Sequence, residues 1–183
     1  MFKRVENNIN LAQVENEISN YWDEIDAFQT SLNNRKNDKI FRFYDGPPFP
    51  TGSPHYGNLL AGVIKDIVPR YWTMRGYYVE RRFGWDVHGL PIEMEVQKNL
   101  NLEDPQQIDE YGIGKFNEAC RTQVQTNTEN WEKITRKIGR WVDFENDYKT
   151  MDIDFMESVW WVFKELWEKD LIYQDYKVLP YSW

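Results

Sequence analysis

Between Ile40 and Arg75 the chain passes from an aromatic run, through a loop crowded with breakers, into a helical apolar pattern, and no other stretch constrains the fold as tightly. Ile40, Phe41, Phe43 and Tyr44 read as a strand. Gly46, Pro47, Pro48, Pro50, Gly52 and Pro54 follow too densely for regular structure. Leu59, Leu60, Val63, Ile64, Ile67 and Val68 then recur at three- and four-residue spacings, which predicts a helix over 56–74. Pro69 inside it cannot donate to the Lys65 carbonyl and is expected to kink or shorten the helix; Gly76 is a plausible stop. Strand, breaker-rich loop and helix in that order form half of a nucleotide-binding βαβ unit. The free N–H groups and positive dipole end of the first helical turn suit a phosphate. His55 and Asn58, three apart, would share one face there as two neutral donors able to follow charge developing on phosphate oxygens.

Residues 77–83 (YYVERRF) read as a second strand, parallel to the first because a helix joins them. It ends in Gly84-Trp85-Asp86-Val87-His88-Gly89-Leu90-Pro91. Ligands of open parallel sheets lie beyond the carboxyl ends of the strands, so Asp86 and His88 are expected beside His55 and Asn58. A carboxylate there can pair with an ammonium group, although on spacing alone Asp86 suits a turn or helix cap equally well. Pro91 would open a helix running through Leu100.

Elsewhere the pattern is mainly helical. Leu11, Val14, Ile18, Tyr21, Trp22, Ile25 and Phe28 predict one amphipathic helix over 10–29, followed by a polar connector over 31–39. Asp104-Pro105 reads as an N-cap and first helical residue. A long helix with a polar middle at 125–130 is expected over 114–138, stopped by Gly139. Arg136, Lys137 and Arg140 near its end suit a solvated terminus better than a nucleic-acid contact. Asp152 is expected to cap a last helix with Phe155, Met156, Val159, Trp160, Phe163, Leu166 and Trp167 as its stripe. Residues 171–173 and 176–181 could form a hairpin or two strands. The late tryptophans, Trp131, Trp141, Trp160, Trp161, Trp167 and Trp183, read as packing anchors rather than base-stacking platforms.

Two motifs bring in a family. PFPTGSPHYGN, Pro48 to Asn58, resembles the HIGH signature of class I aminoacyl-tRNA synthetases. GWDVHGLPIE, Gly84 to Glu93, resembles the isoleucyl branch, since leucyl and valyl enzymes differ at that site. The likeness extends through GRWVDFENDYKTMD and FMESVWWVFKELW. One departure matters, Asn58 standing where the signature has its second histidine; an amide still donates a hydrogen bond but cannot become cationic.

The resemblance implies an α/β fold: the first part of a Rossmann-like (HUP-type) catalytic domain, an incomplete parallel sheet with an N-terminal helix and added helices. Residues 1–39 would be a helical extension and 40–100 the start of the nucleotide-binding domain. Residues 101–183 would be a helical continuation toward an inserted editing domain. Neither that domain nor a KMSKS loop occurs in these residues, and the strand pattern cut at PYSW reads as a fragment. The implied activity is ATP-dependent formation of isoleucyl-adenylate, with transfer to tRNA(Ile) in the complete enzyme.

It further implies that Thr51, His55, Gly57 and Asn58 bind ATP. Gly46, Pro47 and Asp86 would bind the amino acid, Asp86 through its ammonium group, while His88 orients its loop. Magnesium would arrive with ATP rather than in a protein cage. Isoleucine, ATP, tRNA and the remainder of the synthetase are the expected partners. A free-standing nucleotidyltransferase sharing the His-x-Gly-His loop, or a non-catalytic truncated paralogue that binds a partner, are the alternatives.

Composition narrows the setting. The net charge of −8 argues against this segment as the main grip on a polyanion. Cys120, the single cysteine, excludes an internal disulfide and suits a reducing cytosol. No stretch is long and apolar enough for a signal peptide or span, so a cytoplasmic protein without membrane association is expected.

Overall fold

The computed structural model describes residues 8–180. Its frame is a parallel β-structure whose carboxyl ends meet a loop held by a long helix. In chain order the elements are α1 (Leu11–Glu24), α2 (Ala27–Asn33), α3 (Tyr56–Met74), β1 (Arg82–Trp85), α4 (Leu90–Leu100), α5 (Pro105–Tyr111), α6 (Ile113–Lys137), β2 (Asp143–Lys149) and α7 (Ile153–Glu168).

β1 pairs in parallel with β2, Arg82 facing Asp143 and Trp85 facing Lys149, with an irregularity between Arg82 and Gly84. Helices α4 to α6 make the crossover that a parallel pair requires. The aromatic run expected as a first strand does not form one. It stays extended and makes a single parallel bridge, Ile40 to Tyr78, through the Phe41 and Tyr78 amides. Successive residues of an extended chain bond to opposite edges. The amides of Tyr78 and Asp86 bond toward 39–48, whereas the carbonyls of Arg81 and Trp85 accept from Asp143 and Thr150. Segment 78–86 is therefore flanked on both sides, although its regular strand is short and later than the expected 77–83.

β2 was not expected. DFENDYK carries four charges in seven residues, a composition poor in β-formers, yet Phe144 is buried and Tyr148 half-buried beneath a polar edge. Gly84 lets this pairing close up: a Cβ there would lie 2.2 Å from the Tyr148 ring. Phe83 and Phe144 stack at 4.6 Å, and Trp85 meets Trp131 edge-on at 6.4 Å. Val87, Ile92, Val96, Phe116, Val124 and Val142 complete the core between the strands and the crossover helices.

Partial burial of Asp143 would raise its pKa, but bonds from the Asn146 amide N–H and side chain, with the Glu145 N–H and Arg82, outweigh this and hold the carboxyl below its ordinary range. Folded Asp143 thus binds its proton more weakly than unfolded Asp143. It stabilises the fold above the ordinary carboxylate pKa of about 3.9, and the contribution is lost as pH falls through the lowered value. Asp143→Asn is expected to lower stability at neutral pH and to flatten the acid limb of a pH–stability profile measured by circular dichroism.

Helix boundaries follow their caps. The Asp104 side chain accepts from the Gln106 and Gln107 amides while Gln107 reaches back, a capping box. α3 runs unbroken through buried Pro69 to Met74, so the proline costs one ladder bond without ending the helix. Gly76 and Gly139 close α3 and α6 at φ +87° and +76°. The expected single N-terminal helix is two. Its periodicity continues across the junction, but Asp26 adopts φ 44° and turns the chain. Asp152 starts α7 without a side-chain cap bond, its carboxylate accepting instead from the Lys149 N–H at 2.8 Å.

The tryptophans divide. Trp131 is buried, and Trp22 and Trp141 meet edge-on at 5.3 Å with Arg70 stacked 3.9 Å over Trp141. Trp160, Trp161 and Trp167 are exposed on α7, with Val159 and Phe163. Among the described residues they do not act as anchors. Tyr56, Leu60, Val63, Ile64, Ile67 and Tyr71 make a second exposed apolar surface on α3. Residues 171–180 form neither hairpin nor strand, and Tyr181 and Trp183 lie outside the described residues.

Candidate functional site

His55 stands at the start of α3 as its N-cap. Its Nδ1 accepts the Gly57 N–H at 3.1 Å, and its own N–H donates to Asn58 Oδ1 at 3.0 Å. The two side chains thus form a reciprocal capping box. This geometry spends the acceptor atoms on the backbone and leaves His55 Nε2 and the Asn58 amide NH2 for a ligand. His55 is exposed and Asn58 half-buried. A Cβ on Gly57 would sit 2.9 Å from the His55 ring, so the ring folds back only over glycine. Thr51, exposed in the loop, bonds its N–H to the Phe49 carbonyl at 3.0 Å.

The loop is gripped from α6, a role the sequence reading did not foresee. Asn127 Nδ2 donates to the Pro50 carbonyl and the Trp131 indole N–H to the Gly52 carbonyl, each at 2.8 Å. Glu95 Oε2 holds the same Asn127 amide at 3.0 Å. The polar middle of α6 that interrupts its apolar stripe is the signal, because a buried asparagine requires partners.

On the other side, Asp45 pairs with Lys65 at 2.5 Å and with Arg140. Lys65 Nζ also donates to the Gly46 carbonyl at 2.9 Å. Arg140 and Asp45 expose only 7% and 9% of their side chains, so Arg140 is not the solvated helix end that its place in the sequence suggested. Arg140 lies 5.1 Å from the Phe83 ring centroid. Between these groups opens a cleft of about 240 Å³, lined by Gly46, Pro47, Asn58, Lys65, Trp131 and Arg140 among others. It joins Gly46 and Pro47 to Asn58. Thr51, His55, Gly57, Asp86 and His88 do not line it.

Asp86 and His88 emerge where 78–86 ends, the Asp86 N–H bonded to the Pro48 carbonyl at 2.9 Å. This bond ties the second motif to the first. Asp86 is half-buried and His88 exposed. Both face Thr150, whose Oγ1 lies 3.0 Å from His88 Nδ1 and 3.5 Å from Asp86 Oδ1. Among the described residues no three His, Cys, Asp or Glu side chains gather as a metal site, and no helix is long and apolar enough to cross a membrane.

Residues 17–183 match the family model of tRNA synthetases class I (I, L, M and V). The chain is 56% identical over 168 residues to a cytoplasmic isoleucine–tRNA ligase of Arabidopsis thaliana, covering 92% of this chain and 14% of that protein. It is 52% identical over 181 residues to an isoleucine–tRNA ligase of Bdellovibrio bacteriovorus, covering 99% and 17%. It thus spans about one-seventh to one-sixth of the length of these curated relatives. In fold it is similar to a LeuRS–tRNA–LeuAMS ternary complex from Agrobacterium radiobacter, with a TM-score of 0.63, 21% identity, 88% of this chain covered and 18% of that one. The chain belongs to the class I tRNA synthetases of the I, L, M and V group.

Proposed function

We propose that this chain is the N-terminal catalytic segment of an isoleucine–tRNA ligase, in which it supplies one half of the site that activates isoleucine with ATP. The observation that carries the reading is the Asp86 N–H to Pro48 carbonyl bond, which joins the two motifs at the carboxyl end of the parallel frame. The isoleucine carboxylate attacks the α-phosphate of ATP, a mixed anhydride forms and pyrophosphate leaves. The acyl group then passes to a tRNA ribose hydroxyl. No side chain need form a covalent intermediate; the protein positions the reactants and stabilises charge on the phosphate oxygens.

His55 Nε2 and the Asn58 amide, with Thr51 and the N–H groups around Gly57, would hold the phosphates. Gly46 and Pro47 would line the amino-acid pocket and Asp86 would take the substrate ammonium. His88 would order its loop. Magnesium would enter on the ATP phosphates. The remainder of the longer chain would complete the nucleotide site, cover the apolar faces of α3 and α7, which soluble proteins rarely leave open, and contribute most of the tRNA contact. Residues 1–39 would be an extension, 40–100 the start of the nucleotide-binding domain and 101–183 its continuation. The enzyme would work in the cytoplasm.

The test is pyrophosphate–ATP exchange by the full-length ligase: exchange that depends on isoleucine supports the reading, and exchange driven by another amino acid or by none contradicts it. Asn58→His keeps a donor at the same face, so it is expected to change adenylate formation by less than about tenfold. A loss of several orders of magnitude in the same assay would show that the amide itself is required.

A further inference from the structure

Thr150, the residue just after β2, exposes only 8% of its surface and carries a hydroxyl with three polar neighbours. The Val87 N–H donates to Oγ1 at 3.0 Å, His88 Nδ1 lies at 3.0 Å and Asp86 Oδ1 at 3.5 Å. Its backbone N–H is separately bonded to the Trp85 carbonyl at 3.0 Å. A hydroxyl has two acceptor sites and one proton. All three neighbours are satisfied together in one way: Val87 N–H and a protonated His88 Nδ1 donate to Oγ1, and the hydroxyl proton turns to Asp86. If His88 Nδ1 is bare, it competes for that single proton and the carboxylate loses its bond.

We propose that Thr150 is a positioning residue that aims the Asp86 carboxylate at the substrate ammonium and links its orientation to the tautomer of His88. The inference rests on the reading of Asp86 given above. The Thr150 N–H sustains the parallel pairing whatever the side chain; removing the hydroxyl also takes the partner of the buried Val87 N–H, a loss that the serine variant avoids. Asp86 is half-buried, where a carboxylate fixed in advance gains more from an ammonium partner than one that must first be ordered.

The test is isoleucine-dependent exchange by the full-length ligase carrying Thr150→Val, Thr150→Ser or Asp86→Ala. Thr150→Val is expected to raise the KM for isoleucine about tenfold, the equivalent of about 1.4 kcal/mol. The KM for ATP should stay within about twofold, and Thr150→Ser, which keeps the hydroxyl, should restore most of the isoleucine affinity. Thr150→Ala adds no bulk and supplies the same comparison if the valine variant does not fold. An unchanged isoleucine KM in Thr150→Val alongside a raised one in Asp86→Ala overturns this inference alone. So does an equal loss in the serine and valine variants, which would give Thr150 a purely structural role. An unchanged isoleucine KM in Asp86→Ala overturns the assignment of Asp86 and this inference with it.

Discussion

In the proposed full-length ligase, His55→Ala should reduce isoleucine-dependent exchange by about 10²–10³, the cost of removing one donor aimed at developing charge if His55 holds the phosphates. The substitution does two things, because the same ring caps α3 through Nδ1. Loss of an N-cap alone costs about 1 kcal/mol of stability, which a large folded enzyme tolerates. His55→Asn separates the effects. Asparagine is a strong N-cap and keeps the Gly57 bond, but its short side chain does not reach as far as Nε2. The asparagine variant is therefore expected to melt near the parent temperature and to show nearly the same loss of exchange as alanine. If asparagine restores exchange, His55 matters chiefly as a cap and the phosphate assignment fails.

Arg140→Met should lower stability by about 3 kcal/mol, the low end of the cost of removing one partner of a buried pair. Asp45 is left with Lys65, whose side chain is 31% exposed and already shared with the Gly46 carbonyl. The full penalty is therefore not expected. The double variant Asp45→Asn with Arg140→Met should lose less than the sum of the two single changes, since neither charge is then stranded. Thermal melts of the three variants measure this directly. The same network holds the Gly46 carbonyl, and Gly46 lines the cleft proposed for the amino acid, so Arg140→Met should also weaken isoleucine more than ATP. Additive losses would show that the pair is not coupled.

These residues mark the limit of what the sequence discloses. The helices around the site were legible because their ends are written locally: Asp104-Pro105, Pro91, Gly76 and Gly139 each act through a neighbouring turn. The signature loop and the turn at Asp86 were legible as motifs. What escaped reading depends on partners distant along the chain. Arg140 looks like a helix-terminal charge until Asp45 reaches it across the fold. β2 looks like a charged connector until Gly84 admits the Tyr148 ring beside it. Asn127 and Trp131 hold the loop across roughly 80 intervening positions, separations of 77 and 79 residues. Thr150 belongs to the same group, since its hydroxyl acquires meaning only beside Asp86 and His88. Conversely, Ile40 to Tyr44 has strand composition but makes one bridge, and the periodicity over 10–29 hides the turn at Asp26. Local pattern specifies element type well; pairing and side-chain partnership come from the tertiary fold.

The proposed site puts the isoleucine ammonium at Asp86 and the phosphate region beside His55 and Asn58. The most direct measurement is a crystal structure of the full-length ligase with a non-hydrolysable isoleucyl-adenylate analogue. The expected result is the ammonium nitrogen about 3 Å from an Asp86 carboxylate oxygen, with the phosphate mimic at His55 Nε2 and the Asn58 amide and the side chain of the ligand toward Gly46 and Pro47. An analogue seated with its ammonium on another group, leaving Asp86 facing only Thr150, would contradict it.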